Sequence, residues 1–214
     1  MITYPGLEQR TIEWHEMKWA KIGGTLSKGL RTKGDTLFID ILSQDIEEFE
    51  PSDGFQNASM ERGQEMEPFA IEYLEGYTGL KFEQFGWLQS EGNRLLGISP
   101  DGLTADLKIG AETKCYSRKK HTEILLTKQI PLDDIDQVIH YFTVNPFLEK
   151  MYYCAFRPES VNSFVKELTL ESEVNIGTNA RPNFETVREV RDASLKAADV
   201  LLKRVDETKE LLRF

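Results

Sequence analysis

Asp101, Glu112 and Lys114 are the residues of this 214-residue chain whose types and spacing most clearly suggest chemistry. Residues 98–116 read ISPDGLTADLKIGAETKCY, which puts Asp101 at the end of one short strand and Glu112-Thr113-Lys114 on the next. Side chains alternate across a strand, so Glu112 and Lys114 share one face while Ala111 and Thr113 take the other. Two converging carboxylates repel each other, a divalent cation relieves that repulsion, and hard oxygen ligands suit Mg²⁺ or Mn²⁺. A lysine beside such an ion can orient a water and stabilise charge as the water attacks phosphorus. Metal-dependent phosphodiester hydrolysis asks for this arrangement.

The tripeptide Glu-x-Lys alone is weak, because it also occurs at Glu16–Lys18 and Glu207–Lys209, and Asp106–Lys108 is a near-match. Context raises the middle copy: it lies in an apolar stretch, where Glu and Lys are costly to bury unless paired or bound to metal. It also follows Pro100-Asp101, the one Pro-Asp of the sequence. The bland alternative is a structural Glu–Lys pair on a half-exposed sheet. Other catalytic systems fit poorly. His15, His121 and His140 lack zinc-site spacing, and two cysteines (Cys115, Cys154) cannot build a four-thiolate zinc or iron–sulfur site. Gly24–Gly29 and Gly29–Gly34 have phosphate-loop spacing, but Leu30 and Asp35 stand where that loop requires lysine.

Four ordered blocks over roughly residues 14–141 make the sequence similar to a known family. They are Trp14-His15-Glu16-Met17-Lys18 followed by Ile22-Gly23-Gly24-Thr25; Gly63-Gln64-Glu65-Met66-Glu67-Pro68; Ser99-Pro100-Asp101-Gly102-Leu103 leading to Glu112-Thr113-Lys114-Cys115; and Gln137-Val138-Ile139-His140-Tyr141. The chain resembles the phage lambda exonuclease family, or YqaJ-type viral recombinases, within the PD-(D/E)XK nuclease superfamily. The resemblance implies a restriction-endonuclease-like core. It implies that Asp101, Glu112 and the Thr113 carbonyl hold a principal Mg²⁺, which Mn²⁺ can replace. Lys114 would position the water, Glu67 would complete the acidic cluster toward a second ion, and Gln137 would orient the site. The family grips a terminal 5′-phosphate with an arginine and a hydroxyl; here Lys18 and Thr25 stand at those positions, and Lys21 is a further candidate. Lysine lacks arginine's bidentate fork, so this sequence departs from the family there.

The elements that must position these residues follow from the apolar pattern. Residues 59–78 have helical spacing through Met66, Phe69, Ala70, Tyr73, Leu74 and Tyr77, with a kink or new start expected at Pro68 and an end at Gly79. Strands are expected at 81–89, 95–99 (after a turn at Asn93-Arg94), 107–116, 151–156 and 163–170, and a helix at 131–141. The acidic stretch Asp45 to Asp53, with Pro51 and Gly54, reads as a solvated loop, and the basic run Arg118-Lys119-Lys120-His121 as a loop able to touch a phosphate backbone. A long helix is expected over 183–214, its acidic and basic residues on outer faces. The order gives an α/β (α+β) fold, a central mixed β-sheet flanked by helices with a long C-terminal helix. One domain is expected: an N-terminal DNA-end-contacting segment (1–58), a catalytic core (59–170) and the C-terminal helix.

Composition bounds the rest. With 36 Asp+Glu against 26 Lys+Arg the formal net charge is −10, which argues against indiscriminate nucleic-acid binding through a basic coat. A local basic path or a bound ion can reverse the sign where it matters. The start MITYPGLEQR does not read as a secretory signal, no apolar run is long enough to cross a membrane, and Cys115 and Cys154 read as buried reduced thiols, so a cytoplasmic protein is expected. The functional expectation is a Mg²⁺-dependent deoxyribonuclease acting on double-stranded DNA ends. The resemblance adds 5′→3′ polarity, mononucleotide release leaving a 3′ single strand, a homotrimeric ring, and an annealing-protein partner for phage-type recombination. The alternatives are a restriction or structure-specific endonuclease, and a non-catalytic DNA-binding protein on a nuclease scaffold.

Overall fold

Glu112 and Lys114 lie on the second strand of a four-stranded sheet, and the rest of the fold is arranged around that strand. The computed structural model describes residues 1–4, 6–32, 34–51, 58–178 and 180–212. In chain order its elements are β1 (Ile2–Thr3), α1 (Ile12–Met17), α2 (Lys28–Thr32), α3 (Gly34–Ile46), α4 (Ala58–Thr78), β2 (Leu88–Gln89), β3 (Gly97–Ile98), β4 (Gly102–Leu103), β5 (Ile109–Cys115), α5 (Arg118–Thr127), α6 (Leu132–Val144), β6 (Lys150–Phe156), β7 (Phe164–Leu168), β8 (Glu173–Asn175), β9 (Phe184–Thr186) and α7 (Val187–Leu212).

The main sheet runs β4-β5-β6-β7, with β5 and β6 parallel and both outer pairs antiparallel. A parallel pair needs a crossover connection, and α5 with α6 supplies it. A smaller antiparallel sheet runs β1-β2-β3, and Glu83, in the segment leading into β2, makes an isolated bridge to Leu103 of β4. The mixed sheet flanked by helices is the architecture that the order of apolar runs implies.

The helix α6 carries the core. Its first turn holds Asp133 and Asp134, which complement the helix dipole, and every residue from Asp134 to Val144 except Gln137 is buried. That burial works because its polar members are paired. His140 Nε2 lies 2.9 Å from the Ile22 carbonyl and 3.2 Å from that of Gly97, so its N–H is shared between them. The long α7 packs on α2, α3 and α6 through Val187, Val190, Ala198, Leu201 and Val205. Fully burying a Val or Leu side chain stabilises by about 1.5–3 kcal/mol, so this seam holds the helix down. Its polar face adds Asn93–Asp199 (3.0 Å), Lys209–Asp45 (2.8 Å), and Arg204, which pairs with Asp35 and lies 3.8 Å over the Phe38 ring.

The structure departs from the sequence pattern in several places. The basic run 118–121 is not a loop: it opens α5, capped by Ser117 Oγ accepting from the Lys120 N–H. Helix α4 continues through Pro68; a missing N–H costs it one hydrogen bond, to Gln64, without ending it. Of the strand expected over 81–89 only Leu88–Gln89 forms, with Glu83 making a single bridge. Residues 184–186 are β9, so the C-terminal helix starts at Val187 rather than Asn183. Helix α3 runs on to Ile46, into the expected acidic loop, and Asp53 and Gly54 lie outside the described residues, as do Lys33, Arg213 and Phe214. Cys154 is buried as expected, but Cys115 is half-buried.

Candidate active site

The register of the main sheet assembles the site. Gly102 faces Ala111 across the antiparallel β4–β5 pair, which brings Asp101, the residue before β4, beside Glu112 and Thr113. Asp101 Oδ2 accepts the Thr113 backbone N–H at 2.7 Å and the Thr113 hydroxyl at 2.9 Å. Glu112 is fully buried, and three donors satisfy it: Lys114 Nζ and Gln137 Nε2, each 2.6 Å from Oε1, and the Tyr141 hydroxyl on Oε2. Gln137 and Tyr141 stand one turn apart on α6, so one stripe of that helix grips a carboxylate on β5. Gly24 is tight against this grip, since a Cβ there would fall 2.7 Å from Gln137 Cγ.

Electrostatics mark the same residues. Burial pushes the Asp101 carboxyl up to about 6, with Lys114 opposing and Glu67 adding to the rise. Burial, reinforced by Asp101, pushes Glu112 up to about 7 against the pull of Lys114. Burial disfavours the Lys114 ammonium, yet Glu112 and Asp101 outweigh it and hold the group charged well above the usual lysine range. Two carboxylates held close in a dry setting, sharing one ammonium, form a site whose ionised state calls for more positive charge.

A cleft of about 460 Å³ opens over this floor, and its lining includes Arg10, Lys18, Thr25, Glu67, Asp101, Thr113, Lys114 and Gln137. Lys18 stacks its ammonium 3.6 Å over the Trp14 ring, and burial lowers its pKa to about 8. Trp14 is itself fixed by its indole N–H, 2.8 Å from both the Gly86 carbonyl and the Ser99 hydroxyl. Thr25 is exposed on the cleft wall. Glu67 also lines the cleft, its carboxylate engaged by Arg10 and, at 3.3 Å, by Gln84. Lys21 is placed apart: it does not line the cleft, and burial and Arg94 lower its pKa while Asp45 raises it.

Arg10 also lines the cleft, and the sequence did not single it out. Tyr141 belonged to the Gln-x-x-x-Tyr block without a role, and its bond to Glu112 gives it one. For a divalent ion the donor set is hard oxygen throughout. Among the described residues no three His, Cys, Asp or Glu side chains converge closely enough to hold an ion alone. The site therefore fits an ion that takes one or two carboxylates and fills its remaining positions with backbone, water and phosphate oxygens, as Mg²⁺ does.

Residues 13–146 match the model of the YqaJ-like viral recombinase domain. Among solved structures, the chain is similar to the alkaline exonuclease LHK-Exo from Laribacter hongkongensis, with a TM-score of 0.70 at 19% identity, covering 94% of this chain and 98% of that one. A complex of LHK-Exo with dAMP gives the same TM-score at 20% identity and the same coverage. A phage-related exonuclease from Haemophilus somnus 129PT follows with a TM-score of 0.53 at 13% identity, over 90% of this chain and 96% of that one. At these identities the likeness establishes the fold. No curated protein sequence matches the chain.

Proposed function

The chain belongs to the YqaJ-like viral recombinase domain family, and from that premise we propose that it is a Mg²⁺-dependent exonuclease degrading one strand of duplex DNA from its ends. The observation that carries this reading is the meeting of Asp101 and Glu112 with Lys114 at the floor of a cleft. Asp101, Glu112 and the Thr113 carbonyl would hold the principal ion, with Glu67 available to a second. When bound, Mg²⁺ supplies Lewis acidity that activates water and offsets the charge growing on the phosphate. The chain's own residues do the rest. Gln137 and Tyr141 keep Glu112 from rotating away, and Lys114 presents a fixed ammonium to the attacking water and to the phosphoryl oxygens. Lys18 and Thr25 stand on the wall as ligands for a terminal phosphate.

The finer reading follows the family: 5′→3′ digestion releasing mononucleotides and leaving a 3′ single strand, a ring of three chains threaded by the duplex, and a single-strand annealing protein as recipient, in phage-type recombination. The exonuclease names of the structural relatives support the activity class.

The test is digestion of linear, nicked and closed-circular duplex, with and without a 5′-phosphate, in Mg²⁺ and in chelator. Expected is loss of linear duplex in Mg²⁺ alone, with mononucleotide products and the closed circle untouched. Glu112→Ala and Lys114→Ala should each lower the rate about a hundredfold or more, the scale of losing a group that acts on transition-state charge. Cutting of the closed circle would make the protein an endonuclease, and intact linear DNA would remove the proposal.

A further inference from the structure

We propose that Arg10 is a phosphate-binding residue of the cleft, its guanidinium passing from Glu67 to a phosphate of the bound DNA strand; this rests on the nuclease reading above. Among the described residues three cations line the cleft: Lys114, Lys18 and Arg10. Lys114 is bonded to Glu112, and Lys18 is stacked on Trp14 and loses its charge near pH 8. Arg10 is paired with Glu67, and it is the one guanidinium in the lining among the described residues. Its planar fork matches two phosphate oxygens, which neither lysine can do.

The backbone presents Arg10 deliberately. Its φ is +71°, a left-handed conformation that a residue with a side chain adopts only at a cost. The conformation is held from the preceding position, where the Gln9 amide donates to the Phe85 carbonyl at 2.9 Å and to the Pro100 carbonyl at 3.0 Å. Pro100 directly precedes Asp101, so the anchor that sets Arg10 is tied to the loop that carries a catalytic carboxylate.

The partner of Arg10 in the free protein is replaceable. The Arg10 side chain is 40% exposed against 14% for Glu67, so the pair is open to water on the arginine's side. Glu67 also raises the Asp101 carboxyl, which places it within the field of the acidic floor. Glu67 would also be open to a divalent ion held at that floor, and the guanidinium would then have the incoming phosphate as its partner.

The experiment is binding of a fluorescein-labelled blunt duplex to the whole protein in Ca²⁺, followed by anisotropy over a NaCl series. The proteins are wild type, Arg10→Ala and Arg10→Lys, each checked for an unchanged thermal midpoint. Arg10→Ala should weaken binding about tenfold and reduce the slope of log affinity against log salt by about one phosphate contact. Arg10→Lys should restore the slope but only part of the affinity. Ends carrying 5′-phosphate and 5′-hydroxyl are compared. A loss confined to phosphorylated ends assigns Arg10 to the terminal phosphate, and an equal loss on both assigns it to an internal one. Affinity and slope unchanged in Arg10→Ala would overturn the inference, leaving Arg10 a surface partner of Glu67. If wild type itself fails to bind the duplex, the nuclease reading fails instead.

Discussion

The proposed phosphate-binding role of Lys18 carries a pH dependence that can be measured. Its ammonium sits over Trp14 in a partly dry wall, and burial brings its pKa down to about 8. A phosphate bound there is attracted by the charged form alone. Affinity for a 5′-phosphorylated end should therefore be full below pH 7 and decline as the pH rises through about 8. Lys18→Arg should keep its affinity at pH 9, because a guanidinium stays charged there. Anisotropy measured between pH 6.5 and 9.5 checks this, and parallel curves for the two proteins would remove Lys18 from phosphate binding. At this scale the sequence was informative where residue type and setting clash. Glu112 and Lys114 are conspicuous because charge in an apolar strand needs a partner. Arg10 was not legible, because its place depends on Gln9 reaching carbonyls 76 and 91 residues away, a closure that no local pattern records.

Among the elements, α6 both builds the core and serves the site. His140 is buried within it, and burial lowers its pKa to about 4 although its N–H bonds to the Ile22 and Gly97 carbonyls oppose that shift. Its folded value lies below the unfolded value of about 6.5, so between those limits the unfolded chain binds the extra proton. Its contribution is thus present above pH 6.5 and lost as the pH falls toward 4, by about 3 kcal/mol. Asp101 and Glu112 act in the opposite sense, since their raised values favour the folded chain at low pH and that advantage fades as the pH rises through about 6 to 7. Comparing urea unfolding at pH 7 and pH 4.5 in wild type and His140→Gln separates the two effects. The variant should lose less stability on acidification, and equal losses would refute the assignment. The period of its apolar residues made α6 legible in the sequence. By contrast, α5 was hidden. Arg118, Lys119 and Lys120 open it against the helix dipole, and His121 and Ile124 are its buried residues, so little apolar rhythm is left to read.

For the whole molecule, the distribution of charge matters more than its sum. The net −10 belongs to the whole chain, while Arg10, Lys18 and Lys114 face the cleft, and Arg118, Lys119 and Lys120 come just after Ser117, which follows its lining residues Cys115 and Tyr116. These last three form no ion pair among the described residues. An acidic coat around a basic path disfavours sideways adhesion to DNA and favours entry at an end. The proposed ring predicts a sedimentation-equilibrium mass three times that of the chain, and a single-chain mass would exclude it. Finally, α7 packs on α2 and α3 and pairs with Asp35 and Asp45, so a late element clasps two earlier ones. During synthesis the N-terminal helices emerge without that support and fold into place after it arrives. Gly23, Gly24 and Thr25 line the cleft just ahead of α2, so that wall gains its full backing only when α7 has docked on α2 and α3.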